Sequence, residues 1–168
     1  MALSQTEQGL VARIGFDESL LEVVKVEVAC TLQQLRARDE DGALEDKAAL
    51  LVSVAEFAEE KAKQTLDIKH ERLEELRRKL SEKINPLGYQ VFLLLISAEP
   101  ALIVLRTEDQ FDALRTVQTN GDNYEVSNDN VVAKLQDWNT KYGINIVAVR
   151  HDSVGLEFQK APDFAVAG

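Results

Sequence analysis

From Glu45 to Ile84 the chain contains neither proline nor glycine, and its apolar residues recur at steps of three and four until the interruption Asn85, Pro86, Leu87, Gly88. Ala48, Leu51, Ala55, Ala58, Ala62 and Leu66, then Leu73, Leu76, Leu80 and Ile84, carry that rhythm. Side chains at this spacing share one face of an α-helix. Such a helix would be about 60 Å long at about 1.5 Å per residue. Upstream, Leu21, Val24, Val28, Leu32 and Leu35 show the same spacing between Asp17 and Arg38. Val24, Val26 and Val28 also fit a strand, but nothing punctuates the run, so helix is favoured. Asp39, Glu40, Asp41 and Gly42 form a polar break between the two runs, with a glycine free to take left-handed geometry. The expectation is a long helical hairpin, coiled-coil-like, over residues 1–85. Its second arm is about twice the length of its first, so either it breaks near Asp67 or its second half packs on the C-terminal domain or on another chain.

Beyond Gly88 the pattern changes. Tyr89 to Ile96 and Ala101 to Leu105 are dense in Val, Phe, Leu and Ile, with a turn at Ala98, Glu99 and Pro100. These read as a β-hairpin. Asp109 to Val117 and Val131 to Tyr142 show helical spacing, the second through Val131, Leu135, Trp138 and Tyr142. Ile144 to Val149 and Val154 to Phe158 alternate apolar with polar residues around His151, Asp152 and Ser153, the signature of a second hairpin. The fold class expected is therefore α+β: the long helical hairpin, then a small β-β-α-α-β-β domain over 86–168 with an antiparallel or mixed sheet and helices on one face.

The segment Gln118, Thr119, Asn120, Gly121, Asp122, Asn123, Tyr124, followed by Val132, Leu135, Trp138, Tyr142 and Gly143, resembles an uncharacterised family of bacterial domains of unknown function. Its pattern is T-x-G-x-N-Y, then a helix ending W-x-x-x-Y-G, then an alternating strand and D-x-V, here Asp152, Ser153 and Val154. Gly88, Tyr89 and Phe92 with Asp109, Gln110 and Phe111 resemble the family's upstream part, so the likeness spans roughly residues 87–164. The resemblance implies a fold and no activity. It also implies that the family's closing helix, Cys-Pro-Asp segment and aromatic strand are missing beyond Pro162.

The formal net charge of -10 opposes phosphate backbones. Residues 1–86 hold 13 Lys+Arg against 18 Asp+Glu and residues 87–168 hold 6 against 11, so no basic domain stands out and no acidic stripe mimics nucleic acid. Arg72, Arg77, Arg78 and Lys79 are interleaved with Glu71, Glu74, Glu75 and Glu82, and the pairs Glu74 to Arg78 and Glu75 to Lys79 support a solvated helix face. The most apolar segment, Val91 to Ile96, is far shorter than the roughly 20 residues of a membrane span, and no basic stretch precedes an apolar run at the N-terminus. Neither nucleic acid nor membrane is expected as a partner, and the location expected is cytoplasmic. Cys30, the sole cysteine, should act as a small hydrophobe.

Two places could carry function. The polar loop Thr119 to Asn130 offers Asn120, Asp122, Asn123 and Tyr124 as contacts to a partner. Turn and cap chemistry also accounts for it, with Gly121 turning, Asn123 bridging, Tyr124 plugging and Ser127 or Asn128 capping the next helix. The spacing of a calcium loop is absent. His151 beside Asp152 is the alternative polar pair, with an imidazole that titrates near neutral pH, yet no nucleophile is signalled for it. His70 sits among charged residues and reads as solvated. Trp138 and Tyr142 share a helix face with Leu135 and read as core. No catalytic residue, metal site or cofactor is expected. The leading expectation is a non-enzymatic protein-interaction module, an immunity or inhibitor type that binds and neutralises a partner, or one that self-associates through residues 45–84. The rival is a small hydrolase or ligand-binding enzyme using His151, Asp152 and the Asn-rich loop.

Overall fold

The computed structural model describes residues 3–39, 41–54, 66–94, 100–120 and 126–159. Two short helices open the chain, α1 (Gln5–Ile14) and α2 (Glu18–Glu27). Strands β1 (Cys30–Arg38) and β2 (Leu44–Val54) follow, then the helix α3 (Leu66–Ile84). A single turn of 3-10 helix at Asn85–Leu87 leads into β3 (Gln90–Leu94) and β4 (Ala101–Leu105). Helices α4 (Asp112–Val117) and α5 (Asn128–Tyr142) and strands β5 (Ile144–Val149) and β6 (Val154–Phe158) complete the order.

Among the described residues the helical hairpin expected over residues 1–85 does not form; Ala55, Ala58 and Ala62 lie outside them. Its first arm is helical only as α2, and the segments carrying Leu32, Leu35, Ala48 and Leu51 are antiparallel strands. A spacing of three fits a helix face, but it does not exclude a strand whose two faces are both covered. In β2 that is the case, because Ala49 turns to one side of the sheet and Leu50, Val52 and Val54 to the other. The polar break closes a β-hairpin instead of joining helices. Asp39 Oδ1 accepts from the main-chain nitrogens of Asp41 and Ala43 at 2.8 and 3.0 Å, and Gly42 takes a φ of 87°. An aspartate followed by Asp-Gly is a strong hairpin signal when the flanking runs can pair. Leu73, Leu76, Leu80 and Ile84 do form one buried helix face, on α3, and α3 packs on β3. Of the alternatives for the long run, packing on the C-terminal part is the one α3 takes, since it begins at Leu66 and lies against β3.

Downstream the reading holds closely. Both expected strand pairs are antiparallel, although the turn at Ala98 and Glu99 lies outside the described residues; β5 and β6 keep the expected bounds, and the Ser127 side chain caps α5 by accepting from Asn130 N at 3.2 Å. The sheet is mixed: its strand order is β1-β2-β4-β3-β5-β6, with β3 and β5 the parallel pair. Because β2 pairs with β4, strands from both sides of Pro86 belong to one sheet. Helices lie on both faces. Leu10, Ile14, Leu20, Leu21, Val24 and the α3 leucines cover Leu50, Val52, Val91, Leu102 and Val104 on one side. Phe111, Leu114, Val132 and Leu135 cover Phe92, Ile103, Ile144 and Ile146 on the other. No described helix is long and apolar enough to cross a membrane.

The N-terminal helices are held by local chemistry the hydrophobic pattern did not expose. Ser4 caps α1 and Glu7 bonds back to Ser4 N at 2.9 Å, a reciprocal capping box. Lys25 on α2 reaches Glu7 at 2.9 Å and ties the two helices. Ser4→Ala should lower the unfolding free energy by about 1 kcal/mol, as cap deletions commonly do, readable by urea denaturation. Tyr89, just past the 3-10 turn, is buried and donates its hydroxyl to Asp17 Oδ2 at 3.1 Å, anchoring the start of α2 to β3.

Candidate functional site

The polar loop and the β5–β6 turn, which sequence reasoning treated as separate candidates, meet at the carboxyl ends of β3 and β5. The chain leaves α4 through Gln118 in the left-handed conformation (φ 52°). Thr119, only 2% exposed, then donates its hydroxyl to the Arg150 carbonyl at 2.7 Å. Asn120 N donates to the His151 carbonyl at 2.8 Å, and Asn120 Nδ2 donates to Gln118 O at 3.0 Å. Beneath them lies Asn128 at the start of α5. Its buried Nδ2 donates to Leu114 O at 2.9 Å and to Thr119 O at 2.8 Å, so one carboxamide closes the end of α4 against the loop. Buried polar groups need such partners, and here they lock two loop bases into one unit. Asn128, named from sequence as an alternative cap for this helix, leaves the cap to Ser127 and makes these two bonds instead.

Asp122, Asn123 and Tyr124, with Gly121, lie outside the described residues. Asn120 is held by the latch just described. His151 stands at the outer side of the turn with its side chain 70% exposed, its Nε2 3.6 Å from Asp152 Oδ2. Arg150 Nε approaches the same carboxylate at 3.4 Å. Ser153 lies in the same turn, where its carbonyl accepts from Arg150 N at 3.0 Å. Among the described residues, this exposed imidazole has no positioned group beyond its own sequence neighbour to pull a proton from.

Cys30 is half-buried at the start of β1. Burial pushes its thiol up to about 11 from 9.0, with the Glu7 carboxylate adding to the rise and Lys25 opposing it. The thiolate is the reactive form, and a shift of this size cuts its population at neutral pH by about 100-fold. Alkylation of Cys30 by iodoacetamide in the folded protein should be slower than that of the urea-unfolded chain by at least this order. A rate equal to that of the unfolded chain would contradict the buried placement.

On the opposite face of the sheet, α3 stops short of covering β5 and β6. The result is an open groove of about 530 Å³. Leu93, Val147, Gly155 and Leu156 give it an apolar lining, and His70, Glu71, Glu74 and Glu157 stand at its sides. Residue 147 belongs to an irregularity in the β5–β6 pairing, between Ile146 and Ala148, and such bulges re-aim side chains. His70, read from sequence as a solvated side chain, is half-buried here. Glu74 accepts from Arg77 at 2.6 and 2.8 Å and from Arg78 at 3.0 Å. Burial would raise its carboxyl, but the two guanidiniums outweigh that and hold it below the ordinary value. Arg78 also reaches Glu157 on β6 at 3.5 Å. The interleaved arginines of α3 therefore engage its own glutamates, as the i,i+4 spacing suggested. Trp138 and Tyr142 pack on Phe158 with ring centroids 6.2 and 6.1 Å apart, which accounts for both as packing groups.

Residues 101–166 match the family described as a domain of unknown function, DUF4253, a stretch that runs from β4 through β6. That agrees with the resemblance to an uncharacterised domain family. No curated protein and no solved structure is significantly similar to the chain.

Proposed function

We propose that this protein is a non-enzymatic interaction module that takes an extended segment of a basic partner protein along β6 and into the groove beside α3. The observation that carries this reading is the outer edge of β6, unpaired among the described residues. The strand ends the sheet, no described strand pairs with its outer side, and its inner neighbours line the groove. Sheet edges bind extended segments through main-chain hydrogen bonds, with pockets for alternate side chains giving selectivity. Natural proteins commonly guard such edges with charge. At the other end of the sheet β1 carries Arg36 and Arg38, whereas β6 reads Val-Gly-Leu-Glu-Phe with Glu157 its single charge. The glutamates around the groove and the chain's net charge of -10 favour a partner segment bearing lysine or arginine.

Binding of this kind suits an immunity or inhibitor protein, which acts by occupying a partner's surface. Self-association through residues 45–84 has less to draw on, since β2 is paired on both edges and the α3 leucines are already buried. The hydrolase reading also has less, with His151 exposed and Cys30 held as a thiol. The test is affinity capture from the native host, with Leu156→Asp to disrupt the groove and His151→Ala as a surface control. A stoichiometric basic partner should be retained by His151→Ala and reduced at least tenfold by Leu156→Asp. Identical capture by all three proteins would remove the reading.

A further inference from the structure

The parallel neighbours β3 and β5 pair only at Leu93 with Ala148 and Leu94 with Val149. Toward their amino ends the side chain of Gln110 serves β5 instead. Its Nε2 donates to Ile144 O at 3.0 Å and its Oε1 accepts from Ile146 N at 2.7 Å. One carboxamide thus supplies the donor and the acceptor that a neighbouring strand residue would supply. The consequence falls on β3. Residues of a strand in an antiparallel pair direct their main-chain groups alternately toward and away from the partner. Part of Gln90–Phe92 therefore turns an N–H and a C=O away from β4, toward the place where pairing with β5 has stopped.

A cleft of about 360 Å³ opens at this place. Asn85, Gln90, Glu108, Gln110 and Asn145 line it, with Gly88 at its side. The side-chain amides of Asn85 and Gln90 form no hydrogen bond among the described residues. Asn145 accepts from Gln159 at 3.3 Å through Oδ1, which leaves both protons of its Nδ2 to donate. Glu108 adds an acceptor of charge-assisted hydrogen bonds. Gly88 has a φ of 93° and nothing within 4 Å of where a Cβ would stand, so the approach beside it is open.

We propose that this cleft binds a compact uncharged molecule carrying adjacent hydrogen-bond donors and acceptors, the chemistry shared by monosaccharides and nucleobases. Carboxamides offer a donor and an acceptor side by side, and the volume lies in the range of small-ligand sites. An anion is disfavoured by Glu108, and a large apolar ligand has no lining to bury against. The site is separate from the β6 edge and the groove beside α3, so either can fail without the other.

The experiment is titration of the full chain, with its side-chain amides assigned by NMR, using one panel of neutral monosaccharides, one of nucleosides, and inorganic phosphate. The expected result is saturable movement of the Asn85, Gln90 and Asn145 side-chain amide resonances with at least one member of one panel. Which panel responds identifies the source of the ligand. The double variant Gln90→Leu, Asn145→Leu should weaken that binding at least tenfold while Leu156→Asp leaves it unchanged. Gln110 is kept intact because β5 depends on it. No saturable movement with either panel, equal binding of phosphate, or binding undiminished in the double variant would overturn the proposal.

Discussion

Leu102→Ala is expected to lower the unfolding free energy by about 3–5 kcal/mol, the range of leucine truncations in cores that cannot collapse around the cavity. Leu102 is 0% exposed on β4, an interior strand flanked by β2 and β3, with its side chain in the core under α1, α2 and α3. Its strand neighbours Val52 and Leu93 are fixed by register on either side, so neither backbone can move in to fill the space. Domains of this kind have total stabilities of about 5–15 kcal/mol, so the variant should sit near the edge of folding. Urea denaturation followed by circular dichroism measures the change. Leu87→Ala, at a position 50% exposed in the 3-10 turn, is the matched comparison and should move stability by less than about 0.5 kcal/mol. A cost below about 1 kcal/mol at Leu102 would contradict a sheet covered on both faces.

The second large effect belongs to the loop base. Asn128→Ala should cost about 2–3 kcal/mol, because two buried hydrogen bonds vanish and an acceptor is left without its donor. The two carbonyls do not suffer equally. Leu114 O keeps the bond from Thr119 N at 3.1 Å, while Thr119 O has no other described donor. The damage should be local as well as global. Amide exchange at Asn120, whose N–H is held by the His151 carbonyl, should accelerate by at least tenfold relative to amides in β4. Asn130→Ala, an exposed position in the same first turn of α5, should leave that exchange unchanged. If both variants behave alike, Asn128 is not the group that joins α4, the loop and the β5–β6 turn.

The candidate site was legible in part. The asparagine-rich loop and the His151 turn were each visible as polar punctuation between periodic runs, and Ser127 was visible as a cap. That the two come together was not, since Thr119 to Arg150 and Asn120 to His151 are contacts across about 30 residues of chain. Gln110 is a sharper instance. A glutamine before a short helix looks like surface, yet its amide completes the hydrogen bonding of β5. The groove beside α3 could not be anticipated either. It exists because the first three helices cover one part of the sheet and leave β5 and β6 open, a matter of layer width and not of any residue's type.

What the sequence determined by itself is the part of the chain whose signals are local and agree with one another. Between Gly88 and Phe158 the β-branched and aromatic runs and the helical spacings point to strands and helices that form among the described residues. The leucine face of α3 belongs with them, because a period of 3.6 repeated over several turns admits no strand. Residues 30–54 are different. Leu32, Leu35, Ala48 and Leu51 satisfy a helix over short stretches, and the glutamines, arginines and alanines around them favour helix intrinsically. Only the tertiary structure decided for strands. β2 has partners on both edges and helices on both faces, and burial of that extent outweighs a few tenths of a kcal/mol of helix preference per residue.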